Sequence, residues 1–218
     1  MKTSVTLYST PENMVQKDLN LICMGSPRGG TSMIAGALLG LGVDMGIDLP
    51  VNVEDPSFNI DGKRQNLANF MSDMKAAIQR RVERGALWGW KYPQAVEYLD
   101  DIRDLLPNPR LVIVYRDPVP ATIRAGKGRQ DLHDFDESCY REMDKSIRLY
   151  RLNLELARKW KCPTMLVSYE RASQRPVELL EELAAFCGIK MPADISKIVS
   201  FMTPGEYKNP NELRIMNT

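Results

Sequence analysis

The sequence has little excess charge, since 29 Lys and Arg residues face 28 Asp and Glu residues in a chain of 218. A near-zero net charge gives no overall field that would attract nucleic acid or an anionic membrane, so we expect any anion site to be local and expect no nucleic-acid partner. Long hydrophobic runs are also missing. The longest, residues 33–43, is interrupted by glycine and is far below the roughly 20 residues that a membrane span needs. Without an apolar signal core near the N-terminus, the sequence predicts a soluble, cytoplasmic protein with no membrane span.

Metal-site and disulfide patterns are missing as well. The four cysteines are isolated, and the only histidine, His133, cannot complete a zinc site of the Cys/His type. We therefore expect packed thiols and a functional site without metal. The four cysteines are Cys23, Cys139, Cys162 and Cys187.

Short apolar runs alternate with helical patterns along the chain. Strands are predicted at residues 20–24, 86–90, 110–115 and 164–169, and helices at about 33–41, 62–84, 96–106, from 118, 137–161 and 176–187. Apolar strands that alternate with helices are typical of a parallel sheet covered on both faces. We predict one domain over residues 1–218, a three-layer α/β/α sandwich with a central parallel sheet. Its parts are a peripheral lead-in (1–18), a core (19–190) and a C-terminal helix and tail (191–218).

The longest predicted helix, residues 137–161, is amphipathic. Apolar residues at helical spacing share one of its faces: Met143, Ile147, Tyr150, Leu154 and Ala157. Basic residues follow its polar side, which we interpret as a solvated face: Arg141, Lys145, Arg148 and Arg151.

The segment GSPRGGTS, residues 25–32, joins a predicted strand to a predicted helix. Backbone N–H groups converge at such a helix start, and the helix dipole adds positive charge, so anions bind there. The spacing of Gly25 and Gly30 matches a P-loop, yet Thr31 stands where that motif has the lysine that kinases use on the transferred phosphate. We predict an anion site that does not depend on this lysine. The alternative is a glycine-rich turn that only packs a helix on the sheet.

This loop resembles the 5′-phosphosulfate loop of sulfotransferases that use 3′-phosphoadenosine 5′-phosphosulfate (PAPS). Three more segments resemble that family in the expected order. WGWKYP (88–93) is similar to a segment of bacterial and Golgi-type members, LVIVYRDP (111–118) to the second signature, and residues 166–189 to a Tyr-Glu strand end with the closing helix. The resemblance implies a P-loop NTPase-like fold and sulfuryl transfer from PAPS to a hydroxyl or amine, with adenosine 3′,5′-bisphosphate as the product.

The resemblance also implies roles for individual residues. The cofactor-binding candidates are Ser26, Pro27, Arg28, Gly29, Gly30, Thr31, Ser32, Arg116, Arg124 and Tyr169. Arg116 is expected to hold the 3′-phosphate, and Arg124 stands where the family usually has serine. Arg28 and Lys91 are the expected catalytic cations, because negative charge develops on the oxygen between sulfur and the departing phosphate. The alternative for Lys91 is an ordinary surface lysine.

The acceptor needs a base, for which the family uses histidine or a carboxylate. His133 follows the second signature and is interpreted as a surface loop residue. Among Glu54, Asp55 and Asp61, the resemblance favours Asp61, whose alternative role is the N-cap of the next helix.

Two other functions fit parts of the pattern, namely a magnesium-dependent P-loop kinase of a small metabolite and a non-catalytic nucleotide-binding module. The acceptor class stays open among small molecules, glycans and peptides. We expect its pocket to be lined by residues 44–59, 128–136 and 202–215, which are irregular segments. The sequence carries no signal for an oligomeric state.

Overall fold

A computed structural model describes residues 2–16, 18–85, 87–126, 135–205 and 208–213. Its sheet contains five strands in the spatial order β1-β5-β4-β2-β3. They are β1 (Ser4–Leu7), β2 (Leu19–Met24), β3 (Trp88–Lys91), β4 (Asn108–Tyr115) and β5 (Thr164–Ser168). Strands β2 to β5 pair in parallel, whereas β1 runs antiparallel to β5. The predicted α/β architecture is confirmed, with one antiparallel edge strand added.

The edge strand β1 lies within residues 1–18, where the sequence predicts only a peripheral lead-in. It was missed because it has four residues and one neighbouring strand, so it needs no apolar run. Val5 is 59% exposed. The strand is held by Glu182, which accepts hydrogen bonds from Thr3 N (3.0 Å), Thr3 Oγ1 (2.8 Å) and Ser4 Oγ (2.5 Å).

Helices flank the sheet on both sides. Those of the described residues are α1 (Pro11–Met14), α2 (Thr31–Gly40), α3 (Leu67–Glu83), α4 (Pro118–Gly126), α5 (Phe135–Trp160), α6 (Tyr169–Gln174), α7 (Pro176–Cys187) and α8 (Ser196–Met202). Helix α7 matches the helix predicted at residues 176–187, and Gly188, with φ at 68°, caps its C-terminus. No helix in these described ranges is long and apolar enough to cross a bilayer.

The α-helix predicted at residues 96–106 is wrong. Two 3-10 helices, Ala95–Glu97 and Leu99–Leu105, replace it. Leu99 and Ile102 are fully buried three residues apart, a spacing that suits the three residues per turn of a 3-10 helix.

Alternate side chains of the strands supply two apolar cores. Leu21 and Cys23 of β2 pack with α2, α7 and α8, whereas Ile22 and Met24 pack with α3 and α5. Burial raises the pKa of the Cys23 thiol to about 12, so it stays protonated. Cys162 and Cys187 are buried free thiols too, while Cys139 is half-buried.

Helix α5 buries only part of the apolar face predicted, since Ala157 is buried and Met143 and Tyr150 are half-buried. Ile147 and Leu154 are 53% and 44% exposed, whereas Ser146 and Asn153 are buried. The polar pair turns inward because it contacts a loop at the sheet edge.

Candidate functional site

The carboxyl ends of β2, β3, β4 and β5 meet at one edge of the sheet, as parallel strands require. They open onto a cavity of about 560 Å³. Its walls come from the loop after β2, the ends of β3 and β4, the start of α6, and two segments around residues 50–54 and 201–205. Ligands of open α/β sheets bind at this edge.

The loop between β2 and α2 (residues 25–30, the phosphate loop) turns sharply. Gly30 has φ at 89°, and a Cβ there would lie 2.1 Å from Cδ2 of Tyr169, so only glycine fits. Gly29 N donates to Ser26 O at 2.9 Å and closes the turn. The N–H groups of Thr31 and Ser32 belong to the first turn of α2, where the helix itself supplies no acceptor. The loop therefore presents donors and a helix dipole to the cavity.

Helix α5 contacts the phosphate loop through two polar side chains. Ser26 Oγ lies 2.8 Å from Ser146 Oγ, and Asn153 Nδ2 donates to Gly25 O at 3.4 Å. Pro27, Arg28, Gly30, Thr31 and Ser32 line the cavity. Of the predicted loop residues, Ser26 is turned toward α5, and Gly29 shapes the turn.

Arg116 follows β4 and forms, with Tyr115 and Asp117, the Arg116 corner. Its Nη1 donates to Arg28 O at 2.8 Å, and its guanidinium lies 4.4 Å from the centre of the Tyr169 ring. The corner thus touches both the phosphate loop and α6.

The hydroxyl of Tyr150 fixes the backbone of Arg116 from both sides. It accepts from Arg116 N at 3.1 Å and donates to Arg116 O at 2.6 Å. Burial raises the pKa of Tyr150, although the bond with Arg116 opposes this, so the phenol stays protonated and can donate. Arg116 Nε is buried and has no acceptor among the described residues. Arg124 lies in α4, and its side chain is outside the described part of the structure.

Lys91 ends β3 and reaches across to the first turn of α2. It is 2% exposed, so its interpretation as a surface lysine is wrong. Nζ lies 2.5 Å from Glu54 Oε1, 3.1 Å from Asn52 O and 3.4 Å from Ser32 Oγ. A cation from β3 thus stands at the helix start where Thr31 replaces the P-loop lysine.

Among the described residues, the carboxylates that line the cavity are Glu54 and Asp61. Both oxygens of Glu54 are engaged, Oε1 by Lys91 and Oε2 by Asn59 Nδ2 at 2.8 Å. Asp61 Oδ1 accepts from the Tyr92 hydroxyl at 3.0 Å, and no donor among the described residues contacts Oδ2. Burial, followed by the bond to Asp61, raises the pKa of Tyr92 and keeps it a donor.

Two further expectations concern Asp55 as a candidate base and Asp61 as a helix N-cap. Asp55 is buried and ion-paired with Arg81, away from the cavity. Asn66 is the N-cap of α3, and Lys63 is that of the preceding 3-10 turn, so the N-cap interpretation of Asp61 is wrong.

Helix α8 builds the far wall of the cavity and packs directly on α2. Phe201 lies against Gly36, where a Cβ would come within 2.0 Å of Phe201 Cε1. Ile198 lies against Gly40 in the same way, at 2.7 Å. Of the segments expected to line an acceptor pocket, residues 50–54 and 202–205 do line the cavity. Residues 128–134, which include His133, lie outside the described residues.

A family model described as "Sulfotransferase family" matches residues 51–193, more than half of the chain. The chain belongs to the sulfotransferase family. The match contains Lys91, Arg116 and Tyr169 and begins after the phosphate loop. No curated protein matches the sequence.

The structure is similar to the sulfotransferase domain from the Synechococcus PCC 7002 olefin synthase. The TM-score is 0.51 at 18% identity, and the likeness covers 89% of this chain and 81% of that one. It shows a shared fold, so the predicted P-loop-like sulfotransferase fold is confirmed.

Sequence reasoning missed the residues through which this sulfotransferase positions its loops. Ser146, Tyr150 and Asn153 contact the phosphate loop or Arg116 from one face of α5. Their spacing of four and three residues places them on a single helical face, which is the available sequence signal. Within the described ranges, no three His, Cys, Asp or Glu side chains are grouped to hold a metal ion. The expectation of a metal-free site stays a prediction.

Proposed function

We propose that this sulfotransferase transfers a sulfuryl group from PAPS to a hydroxyl or amine of an acceptor. The observation that carries the proposal is the position of Lys91, a buried cation whose Nζ lies 3.4 Å from Ser32 Oγ at the start of α2. An anion held by the N–H groups of this first turn would contact Lys91 as well. The site thereby gains a cation at the position where Thr31 replaces the P-loop lysine.

The residues around the cavity fit the three parts of PAPS. The phosphosulfate is assigned to residues 27–32, where backbone donors, Arg28 and Lys91 converge. The 3′-phosphate is assigned to Arg116, which lines the cavity and whose guanidinium is held in place by Arg28 O and the Tyr169 ring. Tyr169 lines the same cavity and offers a ring face near the adenine position.

Transfer breaks the bond between sulfur and the oxygen of the departing phosphate and forms a bond between sulfur and the acceptor oxygen or nitrogen. Lys91 and Arg28 stabilise the charge that develops on the departing oxygen. Asp61 takes the proton that the acceptor loses, through the oxygen that does not contact Tyr92. Glu54 is assigned to holding Lys91 and not to accepting the proton, because both of its oxygens already accept hydrogen bonds.

The acceptor is assigned to the side of the cavity formed by residues 50–54 and α8. Val51, Phe201 and Met202 give this wall apolar surface. It accommodates a small molecule or one end of a glycan or peptide.

Calorimetric titration in EDTA with adenosine 3′,5′-bisphosphate, and separately with ATP, tests the proposal. We expect metal-free binding of the bisphosphate, weak binding of ATP, and weaker binding of the bisphosphate to Arg116→Ala. ATP binding that appears only with magnesium would replace the proposal with a kinase. Bisphosphate binding without consumption of PAPS across an acceptor panel would favour a non-catalytic module.

A further inference from the structure

Helix α5 carries an exposed apolar line, the α5 stripe, formed by Tyr140, Ile147 and Leu154. These side chains are 72%, 53% and 44% exposed. Seven residues separate each from the next, so they follow nearly one line along the helix over about 21 Å. The chain's own core does not use this line, because α5 turns Ser146 and Asn153 inward instead.

Single exposed apolar residues are normal on a protein surface, but a line at heptad spacing marks a helix contact. Helix α4, which packs against α5, adds exposed Val119 and Ile123.

Exposed charges beside the stripe change sign along α5. Glu137 and Asp144 accompany its N-terminal half, and Arg151 and Arg158 its C-terminal half. Arg151 has one exposed partner on its own helix, Glu155 at 3.0 Å. An exposed pair of this kind is weak and leaves Arg151 able to contact a second carboxylate.

We propose that the α5 stripe is the interface between two copies of this chain, packed antiparallel about a twofold axis at Ile147. Around this axis Tyr140 lies opposite the partner's Leu154, and Ile147 meets its own copy. The same operation places Asp144 opposite the partner's Arg151 and Glu137 opposite the partner's Arg158. The charge pattern is therefore complementary to itself in this direction.

Other occupants fit the pattern less well. A parallel pair of α5 helices would place the charged flank of one copy opposite the uncharged flank of the other, which carries Ser146 and Asn153, so the opposite charges would not meet. A membrane surface fits less well because the acidic Glu137 and Asp144 beside the apolar residues would be repelled by anionic headgroups. A helix pair buries less than the area of a standard interface, so the dimer is a weak one that depends on concentration.

Sedimentation equilibrium of the whole protein, from low micromolar to submillimolar concentration, measures the association. We expect reversible formation of a species of twice the monomer mass. Ile147→Glu removes the central contact and leaves the protein monomeric at every concentration. Because Ile147 is exposed, this variant keeps the far-ultraviolet circular dichroism of the wild type.

Charge reversal tests the direction of packing. Asp144→Arg and Arg151→Asp each set like charges across the interface and weaken association by about tenfold. The double variant Asp144→Arg/Arg151→Asp restores opposite charges and returns the association constant toward the wild-type value. Lys145→Glu, a reversal about 160° around the helix from Ile147, leaves association unchanged.

A wild-type chain that stays monomeric over the whole range overturns the proposal. Dimers that survive Ile147→Glu show that another surface associates, which overturns it too. Dimers that resist both single reversals, or that the double variant fails to restore, refute the antiparallel arrangement.

Discussion

The phosphate loop and the Arg116 corner line the same cavity, yet the protein holds them differently. The loop is shaped by its own backbone, by the left-handed Gly30 and by the helix that follows it, and Ser146 and Asn153 of α5 support it from outside. The corner depends on two side chains from elsewhere, the Tyr150 hydroxyl and the Tyr169 ring. Both sites carry a short sequence motif, but the contacts by which Tyr150 and Tyr169 hold the corner can be recognised only in the fold.

The largest effect is expected on the loop side, from Lys91→Met. Loss of the buried cation leaves the departing oxygen without its charge partner and leaves Glu54 unpaired. We expect bisphosphate release from PAPS, with water as the acceptor, to slow by roughly a hundredfold to a thousandfold.

Two variants control for the loss of Lys91. Lys75→Met removes an exposed lysine of α3 and should change nothing. Lys91→Met/Glu54→Gln removes the unpaired carboxylate and should regain thermal stability without regaining the rate. Recovery of the rate in the double variant would mean that Lys91 acts only on folding.

A smaller effect is expected at the corner, from Tyr150→Phe. The ring keeps its place 4.8 Å from Tyr115, but both hydrogen bonds to the Arg116 backbone are lost. At about 1 kcal/mol for each of the two bonds, calorimetry should show bisphosphate affinity lowered by about thirtyfold at most.

A ligand without the 3′-phosphate shows whether the loss of affinity in Tyr150→Phe is due to Arg116. Affinity for adenosine 5′-phosphosulfate, which lacks the 3′-phosphate, should be the same for wild type and Tyr150→Phe. Tyr115→Phe is the matched control, because its hydroxyl contacts Tyr150 O rather than Arg116. If Tyr150→Phe lowered affinity equally for the bisphosphate and for adenosine 5′-phosphosulfate, Tyr150 would not act through the corner alone.

The smallest effect is expected at the sheet edge, from Glu182→Gln. Burial raises the pKa of Glu182, but hydrogen bonds from Ser4 and Thr3 outweigh it and leave the pKa below the usual 4.5. A lowered pKa stabilises the fold above pH 4.5, and this stability is lost as pH falls through the folded-state pKa.

Urea unfolding measures this prediction. Glu182→Gln should lower the free energy of unfolding by about 1 kcal/mol at pH 7, and the difference should vanish in acid. Because β1 supports β5, which leads to Tyr169, any change in ligand binding should appear at the corner and spare the loop. A difference that persists in acid would mean that the carboxylate charge is not what holds β1.

The strands β2, β4 and β5 were predictable because each is apolar over most of its length and ends at a turn. Edge strand β1 was not, since Val5 remains exposed and the strand depends on Glu182, far away in sequence. In the site, Lys91 was predicted from its motif, but its ion pair with Glu54 joins residues 37 positions apart. The face of α5 was misjudged because apolar periodicity does not distinguish burial in the core from an apolar surface.

The contact of α2 with α8 bears on how this scaffold could be re-engineered. Phe201 and Ile198 occupy the space that a Cβ at Gly36 and at Gly40 would need. Helix α2, which begins at the phosphate loop, and helix α8, which walls the acceptor side, therefore form one packing unit and must be exchanged together. A chimaera given a new acceptor wall must receive a matching α2 with it, or the transplanted helix will displace the loop that the design intended to keep.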